Sequence, residues 1–142
     1  MPLTTIATTA APEPVGAYSQ GRRIGPFLQV SGQLATDPST GTLLAADVAG
    51  QTRRVLEQAQ AVLAAESAGW QDVLMVRVFL ASDDDDDFEA MDSAYRGFLA
   101  APFPPRTTVT AGLAPGALIE IDVLAVRPPG GRADAVGREE HP

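Results

Sequence analysis

Chemistry in this chain has to run without thiols and without amines. Among the 142 residues there is no Cys and no Lys, so all ten basic side chains are Arg. The first absence removes thiol nucleophiles, disulfides and Cys-based zinc or iron–sulfur centres. The second removes Schiff bases and the phosphate-binding lysine of P-loops. The single His is His141, next to last in a stretch rich in Pro, Gly and charge, where a Ser-His-Asp arrangement or a His metal site would be poorly ordered. Carboxylates, Arg, Tyr, hydroxyls, backbone groups and water remain as possible agents, and neither a metal nor a cofactor is expected.

Arg106 is the first candidate. It stands in Phe103-Pro104-Pro105-Arg106-Thr107-Thr108-Val109, where two prolines stiffen the approach and define where a strand begins. A guanidinium held at a strand mouth suits a bidentate grip on a carboxylate, or a structural ion pair with an acid such as Glu120 or Asp122. Those two acids stand two residues apart on one strand face, where one could act as a base toward water or both could simply face solvent. Tyr18, in Gly16-Ala17-Tyr18-Ser19-Gln20-Gly21, offers a phenol for a ligand or a cap for a hairpin. Ser31-Gly32-Gln33, at a strand end, is either a turn or a place where backbone approaches a ligand closely. The run Asp83 to Asp87 precedes a helix whose N-terminal dipole favours acids, so it reads as a helix entry and not as a cation site.

The elements that must position these residues can be read from periodicity. Val48, Thr52, Val55, Leu56, Ala59, Val62 and Leu63 recur at helical spacing and predict a helix from about Asp47 to Ala68, with Asp47 as N-cap and Gly69 as stop. Phe88, Met91, Tyr95, Phe98 and Leu99 predict a second from about Asp87 to Ala100, entered through an Asp86/Glu89 capping box. Tyr18 to Ile24 and Phe27 to Ser31 form an expected hairpin about Gly25-Pro26. Val73 to Leu80 reads as a central strand, and Arg106 to Ala111 with Ile119 to Val126 as a last antiparallel pair about Ala114-Pro115-Gly116. The expected architecture is α/β (α+β), a mixed β-sheet with both helices on one face. Its other face, carrying Glu120, Asp122, Leu124 and Val126, is half apolar and half charged. That mixture predicts a homo-oligomer with a wet pocket in the subunit interface.

Composition sets the outer bounds. One domain is expected over residues 1–127, with a disordered tail over 128–142. A hydrophobic fraction of 45% contains no run long enough to span a bilayer, and the N-terminus lacks the pattern of a secretion signal, so a cytoplasmic protein without a membrane partner is expected. The net charge of −8 opposes phosphate backbones, which argues against nucleic acid as a ligand.

Taken in order, Ala11-Pro12 with Val15-Gly16-Ala17-Tyr18-Ser19-Gln20-Gly21, Val30-Ser31-Gly32-Gln33, Pro38-Ser39-Thr40-Gly41, Asp87-Phe88 leading to Tyr95, Phe103-Pro104-Pro105-Arg106, and Ile119-Glu120-Ile121 running to Ala125-Val126 resemble the reactive intermediate deaminase (Rid, YjgF-like) family. The resemblance implies a chorismate-mutase-like two-layer fold assembled as a homotrimer, with clefts at the subunit boundaries. It implies hydrolysis of 2-imino or 2-enamino acids to 2-oxo acids and ammonia, without a covalent intermediate. Arg106 would then hold the substrate carboxylate and Glu120 the attacking water, while Tyr18 with the Ser31-Gly32 backbone would shape the pocket. Two positions depart from better-known members: Asp92 stands where Asn is usual, and Thr108 where Cys is common. Both belong to the implied substrate pocket, and an acid at position 92 would repel an anionic ligand. A non-catalytic carboxylate-binding or regulatory trimer is the alternative, and a ribonuclease the weaker one.

Overall fold

In the computed structural model, residues 2–129 are described. The seven-residue stripe read from sequence is the buried side of helix α1 (Val48–Ala64), and its members are at most 8% exposed. Asp47 caps it, accepting a hydrogen bond from the Gly50 amide at 2.8 Å. The helix ends four residues earlier than expected, because the chain reverses at Ser67, in the left-handed region at φ 58°, and not at Gly69. Two glutamines on this helix are also fully buried. Gln51 bonds to Leu44, Gly116 and Leu118 backbone, and Gln58 to Leu34 and Thr36 backbone, so each satisfies loop groups that would otherwise be orphaned.

Helix α2 (Asp85–Phe98) begins two residues before its expected start. Asp84 is its N-cap, and Asp85, Asp86 and Asp87 occupy the first turn, so the Asp86/Glu89 capping box does not form and the acidic run is a helix entry. Met91, Tyr95 and Leu99 point into the core, whereas Phe88 stays 41% exposed.

The sheet has six strands: β1 (Leu3–Ile6), β2 (Gly21–Ile24), β3 (Phe27–Leu34), β4 (Val73–Leu80), β5 (Arg106–Thr110) and β6 (Ile119–Val126), in spatial order β1-β2-β3-β6-β4-β5. It is mixed, with both helices packed on one face, as expected. Three sequence expectations are corrected. β5 and β6 do not pair: β5 lies at the edge, parallel to β4, while β6 runs antiparallel between β3 and β4. The connection β4–α2–β5 is a helical crossover, which returns the chain parallel to the strand it left. β1 was not expected, because only Ile6 of its four residues is buried and the local apolar signal is correspondingly weak. Finally, the hairpin strand starts at Gly21, which leaves Tyr18 in the preceding loop.

Ile119, Ile121, Val123 and Ala125 of β6, with Val30, Val76 and Val78 of its neighbours, face the helices and are wholly buried. Burial of this apolar layer, together with the helix residues that cover it, stabilises the fold. Leu56→Ala, which empties a fully buried α1 position, is expected to cost about 2–5 kcal/mol in urea unfolding at fixed protein concentration. The opposite face carries Phe27 (48% exposed), Ile24, Phe79, Val109, Leu124 and Val126 beside the charged Arg77, Glu120 and Asp122. β4 is therefore covered on one face only within the chain. The tail beyond Pro129, including His141, lies outside the described residues, and no described helix is long and apolar enough to cross a membrane.

Candidate active site

Arg106 opens β5, and its entry is anchored by the Val76 amide donating to the Pro105 carbonyl at 2.9 Å. In the parallel ladder Arg106 sits opposite Val76, a helix-face residue, so its side chain rises toward α2. There its Nη1 meets Asp92 Oδ1 at 2.8 Å, and its guanidinium lies 4.8 Å from the Tyr95 ring centroid and 5.8 Å from that of Phe88. The ion pair with Glu120 or Asp122 considered from sequence does not form. Asp92 Oδ2 meets Arg96 Nη2 at 3.0 Å, one turn along the helix, so one carboxylate joins two guanidiniums. Hydrogen bonds from Arg96 and then Arg106 hold the Asp92 carboxyl below its ordinary range.

Asp92, Tyr95, Arg96, Phe103, Pro104 and Arg106 line an open cleft of about 290 Å³. Burial pushes the Tyr95 phenol up to about 12, so it stays protonated beside the guanidinium. The Tyr95 hydroxyl and Thr108 Oγ1 are buried and have no hydrogen-bond partner among the described residues. Thr108 stands two residues after Arg106 on the same strand, opposite the helix-face residue Val78. Such orphaned hydroxyls are uncommon in folded proteins and are suited to a ligand or an ordered water.

Glu120 belongs to a second group. It is opposite Phe79 and Leu34 in the ladders, on the sheet face away from the helices. Its neighbour Asp122 is locked by Arg77 in a bidentate pair of 2.8 and 2.7 Å, which disqualifies it as a base. Glu120 itself has no ion pair or side-chain hydrogen bond among the described residues. Burial first, and the Asp122 charge second, raise its carboxyl above the ordinary value.

Beneath Glu120 the β3–β6 ladder is interrupted at Ser31 and Gly32, between the paired residues Val30 and Gln33. A Cβ on Gly32 would lie 2.7 Å from Glu120 Oε2, so the carboxylate occupies space that only glycine leaves. Gly32→Ala is therefore expected to displace Glu120 and to lower any Glu120-dependent turnover by at least about tenfold while the thermal midpoint moves little, a split read by parallel activity and calorimetry. The Ser31 amide and hydroxyl both donate to the Gln20 carbonyl at 2.9 Å. The Gln20 amide in turn bonds the Thr8, Ala11 and Pro12 carbonyls, which ties the loop carrying Tyr18 to this end of β3. Tyr18 is 50% exposed, and its hydroxyl accepts from the Val15 amide at 3.2 Å.

The sequence-derived residues thus fall into two sets. Arg106, Asp92 and Thr108 share the helix side of β5, whereas Glu120 and Gly32 share the far face of β3–β6, with Ser31 and the Tyr18 loop alongside. Within one chain the sheet separates them. Arg96, which sequence reading did not single out, completes the first set. Its i,i+4 spacing from Asp92 was the available signal.

The chain is thus a two-layer α+β fold with an arginine cleft on one side of the sheet and, among the described residues, an unpaired glutamate on the other. A family model described as Endoribonuclease L-PSP matches residues 8–127, and the chain belongs to this family, the YjgF/Rid family. A RutC family protein from Pyrococcus horikoshii is 38% identical over 123 residues, covering 86% of this chain and 96% of the relative. A 2-iminobutanoate/2-iminopropanoate deaminase from Salmonella typhimurium is 38% identical over 127 residues, covering 87% and 97%. The crystal structure of E. coli TdcF with bound serine is similar at a TM-score of 0.80 and 33% identity, covering 87% of this chain and 98% of that one.

Proposed function

We propose that this protein hydrolyses reactive 2-imino and 2-enamino acids to 2-oxo acids and ammonia in the cytosol, in clefts that neighbouring copies complete in a homotrimer. The observation that carries the reading is the Arg106 cleft. The guanidinium is fixed through Nη1, its Nε and Nη2 have no hydrogen bond among the described residues, and Arg106 lines the cleft together with Tyr95 and Phe103. A substrate carboxylate fits that open edge, and relatives named as imine deaminases support the class.

The reaction needs little else. An enamine tautomerises to an imine, and the protonated imine is already electrophilic at C2. Glu120 takes a proton from water as its oxygen bonds to C2, and the C=N π pair moves to nitrogen. The proton returned to that nitrogen lets it leave as ammonia, while the C2 hydroxyl collapses to the oxo group by giving its proton to Glu120, from which it passes to the departing ammonia and leaves Glu120 ionised again. Substrate plus water gives 2-oxo acid plus ammonia, and holding and orienting suffice for rate. Because the sheet separates Arg106 from Glu120 in one chain, the second set comes from a neighbour, whose half-apolar open face packs against the cleft. Tyr18, Ser31 and Gly32 of that neighbour shape the pocket opposite Thr108. TdcF with bound serine supports a site for small α-substituted carboxylates.

The test generates 2-aminoacrylate with a pyridoxal-dependent dehydratase and follows its decay. Purified protein is expected to accelerate it, and no acceleration overturns the reading. A non-catalytic carboxylate-binding trimer is favoured by one observation, the occupation of Arg106 by Asp92, and carboxylate binding without turnover in that assay would establish it. RNA cleavage, named in the family description, is opposed by the net charge of −8.

A further inference from the structure

Asp92 is the anomaly of the cleft. A guanidinium attracts an anion most strongly when its charge is uncompensated, yet here a carboxylate 27% exposed at the side chain sits on it at 2.8 Å. Asp92 is met from the other side by Arg96 at 3.0 Å, so its carboxylate bridges the two guanidiniums. The charges this chain presents to the cleft are thus Arg106, Arg96 and Asp92, a net single positive charge, and the Glu120 carboxylate that a neighbour would supply stands on the opposite wall.

A ligand carboxylate on the open Nε/Nη2 edge lies within one guanidinium's width of Asp92, and the two anions repel. The sign of the net effect then depends on the substituent at the adjacent carbon. A neutral oxo group offers Asp92 nothing. A cationic nitrogen on that carbon lies beside the ligand carboxylate and carries N–H donors, so it can turn toward Asp92 and convert repulsion into a charge-assisted hydrogen bond.

We propose that Asp92 is a specificity-determining residue that makes the Arg106 cleft select carboxylates bearing a cationic nitrogen at C2, such as the protonated imine, over the corresponding 2-oxo acids. This rests on Arg106 being the carboxylate anchor. It has a functional consequence: substrate is held as the iminium, and product, having lost the nitrogen, is expelled by the same side chain that retained the substrate. An Asn at this position cannot make that distinction by charge.

The experiment compares L-alanine with pyruvate, which share carboxylate and methyl and differ in ammonium against oxo, by titration calorimetry at one pH and ionic strength. Wild type is expected to favour alanine. Asp92→Asn is expected to shift the ratio of the two dissociation constants by about tenfold toward pyruvate, with alanine losing and pyruvate gaining, and Asp92→Glu to keep the wild-type preference. An unchanged ratio, or an equal gain by both ligands in Asp92→Asn, overturns the proposal, because Asp92 would then be a mere competitor for Arg106. Arg106→Ala separates the two levels. If it binds both ligands as wild type does, the anchor reading fails. If it loses both while the Asp92→Asn ratio stays put, only the selectivity proposal fails.

Discussion

Arg106→Ala and Glu120→Gln proteins, each nearly inactive alone, are expected to recover about a quarter of wild-type deaminase activity when refolded together in equal amounts. Each single change removes one half of the site. With Arg106 as the proposed carboxylate anchor, losing the guanidinium is expected to remove charge-assisted hydrogen bonds and the orientation they impose, about a hundredfold or more in kcat/KM. The fold should survive, because Asp92 keeps Arg96 as a partner. In a trimer whose clefts take Arg106 from one copy and Glu120 from the next, a random mixture leaves both residues intact in one cleft of about four, since each has an even chance of being present. If both residues acted within one chain, no cleft in the mixture would be complete. Activity no higher than the sum of the parents therefore rules out the shared cleft.

Glu120→Gln is expected to lower kcat by about 10²–10⁴ and at the same time to stabilise the protein at neutral pH. The two effects share a cause. Burial and Asp122 raise the Glu120 carboxyl in the folded chain, so the charged form that the proposed base requires is carried at a cost. The folded state binds this proton more tightly than the unfolded state does. The associated penalty is accordingly absent below the unfolded pKa and grows as pH rises through the folded one. The acid limb of the wild-type rate profile should lie above the range of a solvated glutamate. Asp92 has the opposite sign: its depressed carboxyl contributes stability above its unfolded value that is lost as pH falls through the folded one. Thermal midpoints of Glu120→Gln and Asp92→Asn measured from pH 4 to 8 should diverge, the first above wild type at neutral pH and the second below it. Midpoints moving together would show that neither shift reflects the local environments described.

Much of this was legible in the chain because it is written in local periodicity. The α1 stripe is spaced so that burial can occur only on one side of a helix, and each member is buried. The β6 alternation separates Ile119, Ile121, Val123 and Ala125 from Glu120 and Asp122 in any sheet that forms. The absence of Cys and Lys confines the chemistry whatever the fold. Helix ends were less legible, since Asp84 and Asp86 are the same residue type two positions apart and only the packing of Met91 and Tyr95 selects the turn that is capped.

What the sequence alone determined is the kind of element at each place, the reactive inventory and, through spaced motifs, the family. What only the tertiary structure decided is adjacency. That β6 enters between β3 and β4, that Arg106 meets Asp92 and not Glu120, and that Gly32 lies under the Glu120 carboxylate are all contacts between residues more than ten positions apart. Periodicity reports which face a side chain takes, but which strand lies next to it is settled by the packing of the whole sheet against its helices. The division of the site between two faces follows from that packing.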